Sequence, residues 1–293
     1  VSHVKPRVAL LENVTGILRA FDEDGIKYHA WFEVAKVFAS KGYIPLCLHV
    51  NARLAGVAQN RPRFIMISVR EDVYSALEKN LNESEVVLFK NSVEFQNKIK
   101  DGNPTTLEDL RYFDAQKESD RALYDGTFLQ KLIGHKQVSV QDAIQDLMEN
   151  ESHPESAFVK NLNKTFAKGG VEANKKINWE PRNNNPHVVR RFRIYQVLNQ
   201  IDKTSATDLS NILKGKTTEL KDETWTEIRE YDFKQFDGST AKFTSKLIAE
   251  EFFRHHVTKK QTQRALIASS PAPAALSIPD DACHYSENEL RTL

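Results

Sequence analysis

The sequence predicts an α/β fold: the closing part of an α/β sheet unit, interrupted by a large α+β and irregular region. Three observations carry that expectation. Residues 1 to 70 read as strand, helix, strand, strand, which suits the end of such a unit better than its start. From about Glu71 the texture changes to charged, irregular helical stretches. Near the end, a segment rich in Pro, Ala and Ser looks like a loop and short strand returning to the first region. These shifts place boundaries at 1–72, 73–260 and 261–293.

Taken in order, "RVALLENV" (Arg7 to Val14) is a short, mostly apolar run ending in polar residues, as a buried strand does. A loop containing Gly25 follows. "KYHAWFEVAKVFASKGY" then sets Trp31, Val34, Ala35 and Phe38 at helical spacing, with Gly42 where a left-handed cap belongs. "IPLCLHV" (Ile44 to Val50) is the next strand, with Pro45 near its start, where proline is tolerated. "RFIMISV" (Arg63 to Val69) is its neighbour across a long connection. Further on, "SVQDAIQDLMEN" reads as a short helix starting near Ser139 or Gln141. "VVRRFRIYQVLNQI" places Val188, Phe192, Tyr195 and Leu198 on one side of a helix. "SATDLSNILK" opens with Ser205 and Asp208, a capping-box-like pair. The last two form a pair joined by a short turn, an arrangement found in DNA-binding and other proteins alike.

The chain has 293 residues, 40% hydrophobic and 28% charged, with a formal net charge of +1. Such a balance is ordinary for a globular chain and does not mark the whole molecule as a polyanion binder. The local distribution is less even. Val159 to Arg193 holds nine Lys and Arg against two Glu, with Phe166, Trp179 and Phe192 interspersed, whereas Asp142 to Glu155 is acidic. A basic segment with aromatics suits a phosphate-facing surface, and a solvated basic face accounts for it nearly as well.

The only cysteines, Cys47 and Cys283, form no Cys-x-x-Cys pair, which points to a reducing, cytoplasmic setting and to no structural metal. Cys47 lies inside an apolar strand, where an inert thiol is expected. No apolar run approaches the roughly 18 residues of a membrane span. "LKGKTTEL" invites comparison with a phosphate loop, but the required first glycine is replaced by Ser210. Glu251 and His255, one helical turn apart, read as a surface ion pair. The chain starts at Val1 and stops at Leu293 in mid-pattern, as an internal piece of a longer protein would.

"LLENVTGI" carries Glu12-Asn13-Val14 at the end of a strand, and "GVAQNRPRFIMI" carries Gln59, Arg61 and Arg63 ahead of another. "SIPDDACHYSENELRTL" closes the chain. In this order the three stretches resemble the DNA (cytosine-5)-methyltransferase family, in which a Glu-Asn-Val motif precedes a Gln-x-Arg-x-Arg motif, a variable recognition region and a return to the catalytic domain. "SVQDAIQDL" is similar to a segment that many bacterial members carry before their recognition region.

The resemblance implies the C-terminal half of a Rossmann-like S-adenosylmethionine-dependent methyltransferase sheet, with a target-recognition domain inserted. It implies transfer of methyl from S-adenosylmethionine to carbon 5 of a cytosine flipped out of double-stranded DNA. Glu12 would act at ring nitrogen 3, where negative charge develops once a thiolate has attacked carbon 6. That role suits a carboxyl whose pKa burial has raised. Arg63 would contact the ring carbonyl oxygen and Arg61 would support it, with Asn13, Val14 and Gln59 fixing the local backbone. DNA contacts are expected among Lys160, Lys164, Arg182, Arg190, Arg191 and Arg193.

The family's Pro-Cys nucleophile motif, its glycine-rich cofactor loop and its last helix have no counterpart here. The cofactor site is therefore expected mostly outside this chain. The missing N-terminal half or a partner subunit becomes a second partner besides DNA, and the chain alone is expected to be inactive. A cytoplasmic, bacterial or phage-type setting, with or without a restriction partner, fits this reading. Two other readings remain: a non-catalytic DNA-binding remnant or split subunit, and an RNA cytosine-5 methyltransferase. The about 190 residues between the two catalytic parts, a full domain's worth, disfavour the latter.

Overall fold

Every residue of "YIPLCLHVN" is buried, and the rest of residues 1–137 is arranged around that strand. In the computed structural model, residues 1–149, 151–166, 182–260, 262–274 and 282–292 are described. They divide into two units, Val1–Gln137 and Val138–Leu293. The first contains β1 (Val8–Val14), β2 (Ala20–Glu23), β3 (Ile26–His29), α1 (Ala30–Ser40), β4 (Tyr43–Asn51), β5 (Gln59–Asn60) and β6 (Pro62–Arg70). α2 (Glu71–Leu77), α3 (Glu83–Lys100), β7 (Tyr112–Asp114) and α4 (Glu118–Arg121) follow.

The main sheet is mixed, in the order β1-β6-β4-β7, with β6 antiparallel to both neighbours and β7 parallel to β4. Alternation along β4 and β6 feeds two cores. Cys47, Phe64 and Met66 meet Trp31, Phe32, Ala35 and Phe95 on one face. Ile44, Leu46 and Leu48 meet Tyr74, Leu88, Phe89 and Tyr124 on the other. Gly42, at φ +81°, ends α1 as expected, since a left-handed residue after a helix favours glycine.

β1 departs from the expectation of a buried strand. It is an edge strand, and Val8, Leu10 and Val14 are 49%, 70% and 54% exposed. These residues share one face with Glu12, which no element among the described residues covers. The β2–β3 hairpin, α3 and β7 were not read from the sequence. β2 and β3 form a hairpin through Asp24-Gly25, both at positive φ, a turn this dipeptide favours. α3 is capped by an Asn82–Glu85 box. β7 is only three residues long.

The second unit is mainly helical: α5 (Val140–Ile144), α6 (Ala157–Phe166), α7 (Pro186–Leu198), α8 (Lys203–Leu213), α9 (Asp222–Ile228) and α10 (Lys246–His255). Short strands β8 (Phe233–Lys234), β9 (Thr240–Ala241), β10 (Arg264–Ala265), β11 (Ala272–Pro273) and β12 (Ala282–Cys283) punctuate it. α7 is its central helix, buried continuously from Phe192 to Val197. Phe192, Tyr195, Leu209, Ile212, Phe233, Phe252 and Phe253 share its core, so Phe192 is a packing residue and not part of a basic surface. β12 pairs in parallel with β10.

Of the two starts read for α5, Ser139 is the cap, in a box with Asp142. The start of α8 differs: Asp202 is the cap, accepting from the N–H groups of Thr204 and Ser205, while Asp208 is buried and accepts from Lys221 N at 2.9 Å. An aspartate one turn upstream outcompetes the serine because its two oxygens take both orphan donors and the Ser205 hydroxyl. His255 is not ion-paired to Glu251. Its Nδ1 lies 2.8 Å from the Glu251 backbone oxygen, and His256 is fully buried.

Candidate active site

The antiparallel register of β1 and β6 sets Glu12 opposite Ile65 and Val14 opposite Arg63. Directly opposed residues share a face, and so do alternate residues along a strand, so Glu12 and Arg63 are diagonal neighbours on one surface. Arg63 Nε lies 2.6 Å from Glu12 Oε1. The contact is a charge pair without an aligned hydrogen bond, because the buried Nε–H has no partner along its own direction. Arg63 Nη1 donates to the Pro62 carbonyl at 2.8 Å, which turns the guanidinium back over its own strand. The arginine side chain is 16% exposed and that of Glu12 is 53% exposed. Glu12 therefore stands on an edge strand with an open face.

Asn13 accepts the Val14 N–H on its Oδ1 at 2.8 Å and so fixes the backbone just beyond Glu12. A helical turn at Thr15–Leu18 follows. A Cβ added at Gly16 would meet only Val14, at the ordinary contact distance of 3.8 Å, so no crowded cradle lies there.

Arg61 is placed through its backbone. The buried Asn51, at the end of β4, accepts from the N–H groups of Arg61 (3.1 Å) and Arg53 (3.3 Å) and donates to Asn60 (2.8 Å) and Gln116 (3.1 Å). Ala52 N completes the clasp by donating to Arg61 O at 3.2 Å. One amide thus fixes both ends of the loop before β6, at Arg53 and at Asn60 and Arg61, while Gln59 lies half-buried on β5. The Arg61 guanidinium has no ion pair among the described residues. Sequence reading missed Asn51, whose only signal was a polar residue ending an apolar run. Replacing it by Ala leaves buried donors unpaired and is expected to cost about 2–3 kcal/mol, read as a lower denaturant midpoint at unchanged m-value. Wild-type stability in Asn51→Ala would mean that water replaces the clasp.

A second polar pair lies on the opposite face of the sheet: His49 Nδ1 is 3.0 Å from Asp114 Oδ1, both nearly buried. It bridges β4 and β7 and is remote from the Glu12 surface. Among the described residues no cluster of three or more His, Cys, Asp or Glu could hold a metal ion, and no helix is long and apolar enough to cross a membrane.

Both thiols are buried, and that burial pushes Cys47 and Cys283 far above the usual cysteine range. Neither has thiolate character.

The model of the C-5 cytosine-specific DNA methylase family matches residues 1–267, spanning both the Glu12–Arg63 surface and most of the helical unit. The chain belongs to that family. No curated protein and no solved structure matches it. C-5 DNA methylases are methyltransferases that act on cytosine in DNA with S-adenosylmethionine as methyl donor.

The candidate DNA-contact residues of this methylase chain divide into three kinds. Lys160 and Lys164 lie exposed on α6, and Arg182 is exposed before α7. Arg190 and Arg191 are half-buried on α7. Arg193 departs from the expectation of a DNA-facing residue: it is 5% exposed, its Nε donates to Asp232 O at 2.8 Å and its Nη2 lies 2.9 Å from Glu287. Two positions further along a helix turns a side chain to the far side, so Arg193 enters the core that Arg191 skirts. Lys168, Lys175, Lys176 and Trp179 of the basic segment lie outside the described residues.

Proposed function

We propose that this chain supplies the cytosine-recognising part of a DNA cytosine-5 methyltransferase and that the attacking thiolate and the cofactor cradle come from outside these residues. The observation that carries the reading is the Glu12–Arg63 charge pair at the carboxyl end of a sheet strand, where α/β sheets gather their chemistry. A carboxyl and a guanidinium on one surface match the edge of an extruded cytosine. The protonated carboxyl donates to ring nitrogen 3 as charge develops there, and the guanidinium donates to the ring carbonyl oxygen. Arg61, its backbone clasped by Asn51, backs the second contact.

Two features support the need for a complement. The first is the burial of both thiols, which leaves no residue here to attack carbon 6. The second is the open outer edge of β1 with its uncovered Val8, Leu10 and Val14, an apolar edge of the kind that proteins otherwise protect. One added strand and its helices would complete a Rossmann-like sheet and cover the Glu12 face. The residues present do not fit the methyl donor itself: no glycine-rich turn follows β1, and Gly16 is not crowded. Binding of S-adenosylmethionine is assigned to the complement. The helical unit serves as the DNA-recognition part.

The test mixes the chain with the N-terminal half of a C-5 cytosine methylase, ending before its Glu-Asn-Val strand, in the presence of duplex DNA and labelled S-adenosylmethionine. Methyl incorporation is expected from the mixture and from neither part alone. Incorporation by the chain alone overturns the proposal. Duplex binding with no methylation in any mixture favours a non-catalytic DNA-binding subunit.

A further inference from the structure

Phe236 is 55% exposed at the tip of the β8–β9 hairpin, yet it is held rigidly. Gly238, at φ +86°, closes the turn; Gln235 N donates to Ser239 O at 2.8 Å, and Gln235 Nε2 donates to Ala241 O at 2.9 Å. Beneath it the ring meets Phe252 at a centroid distance of 5.3 Å, and through it the aromatic core of the unit. A bulky apolar side chain is thus fixed on a braced turn and left facing water, forgoing part of its burial. Asp237, next to it, turns its carboxylate into the hairpin, where it accepts from Ser239 N at 2.8 Å.

The cation over this ring is equally constrained. The Arg190 guanidinium carbon lies 4.8 Å from the Phe236 centroid. Its Nε donates to Nε2 of His256 at 3.3 Å, while Nδ1 of that histidine lies 2.7 Å from Phe252 O. Nδ1 must therefore carry the hydrogen, which leaves Nε2 as the acceptor that orients Arg190. His187 stacks on His256 at 4.6 Å and 10°. Arg191 lies beside them with a buried Nε that has no partner. Neither Arg190 nor Arg191 has an ion pair among the described residues, so their Nη groups remain available.

We propose that Phe236, Arg190 and Arg191 form a preorganised contact for one nucleotide unit of duplex DNA: the guanidiniums take backbone phosphates, and the phenyl ring packs against the adjoining sugar or an exposed base. His256 is the positioning residue that fixes Arg190 over the ring. The proposal rests on the DNA-binding reading of this unit and names the contact within it. Guanidinium forks suit phosphate oxygens, and an aromatic face beside them suits the apolar part of a nucleotide.

The full chain is titrated with a fluorescein-labelled mixed-sequence duplex across a salt series. Phe236→Ala is expected to weaken binding roughly tenfold with an unchanged salt slope, since stacking carries no counterion. Arg190→Ala is expected to weaken binding and to reduce the slope of log affinity against log salt by about 0.9, the signature of one lost phosphate contact. Arg190→Lys keeps the charge but not the fork or the His256 bond, so the slope should stay while affinity falls. Melting temperatures identify any variant that fails to fold; Phe236→Ala, at an exposed site, controls for this. Wild-type affinity and slope in both alanine variants would overturn the contact while leaving the DNA reading intact. A wild-type chain that does not bind the duplex removes both.

Discussion

Glu12→Gln, in an enzyme reconstituted from this chain and a thiolate-bearing complement, is expected to lower methyl transfer about 10²–10⁴-fold, the range of a positioned general acid. Glutamine keeps the size and one donor but has no acidic proton to give to ring nitrogen 3, and it removes the charge facing Arg63 at 2.6 Å. DNA affinity should survive, because the loss falls on the chemical step. The cost should also be non-additive. With the carboxyl gone, Arg63 has lost its charge partner, so Glu12→Gln with Arg63→Ala should be little worse than the poorer single variant. Full turnover in Glu12→Gln would remove the carboxyl from the mechanism. Additive losses would mean that the two side chains act on separate parts of the substrate.

Only part of this site is legible in the sequence. Motif order named Glu12 and Arg63, and strand alternation put each on a definite face. The register that makes them diagonal neighbours is a tertiary fact. α1, β4 and β6 were legible because their apolar runs are long and bounded by Gly42, Pro45 and Pro62. β7 was not, since three residues carry no period and owe their strand character to pairing with β4. α3 was obscured by its charge: its buried residues, Leu88, Phe89, Ser92, Phe95 and Gln96, include two polar ones and serve two different cores. The Asp24-Gly25 hairpin was legible in principle from the dipeptide. Charge alone could not separate Arg190 from Arg193, because which arginine enters the core depends on where Asp232 and Glu287 lie in space. The open face around Glu12 was equally out of reach, since only the sheet order shows that β1 is an edge.

Acid is expected to destabilise the helical unit well above the pH at which carboxylates titrate. His256 and His284 are both fully buried. Burial, reinforced for His256 by His187, Arg190 and Arg191 and for His284 by Arg291, lowers each from 6.5 to about 4; Glu289 and Glu151 partly oppose this at His284. His187 shifts in the same direction, mainly through burial. Because the folded values lie below the unfolded one, the unfolded chain takes up protons first as pH falls. The stability tied to the neutral rings is therefore complete above about pH 6.5 and drains away toward pH 4. Allowing for partial relaxation around the charge, the loss is of the order of 2 kcal/mol for each histidine. Protonation of His256 also replaces the acceptor of Arg190 with a donor, so the Phe236 platform should loosen over the same window. Thermal melts between pH 7 and pH 4 test this, with His256→Phe keeping the aromatic stack without the titrating nitrogen. That variant should start less stable at neutral pH, having lost two hydrogen-bond partners, and should show a visibly flatter pH dependence. A wild-type melting temperature constant down to pH 4 would mean that solvent already reaches both rings.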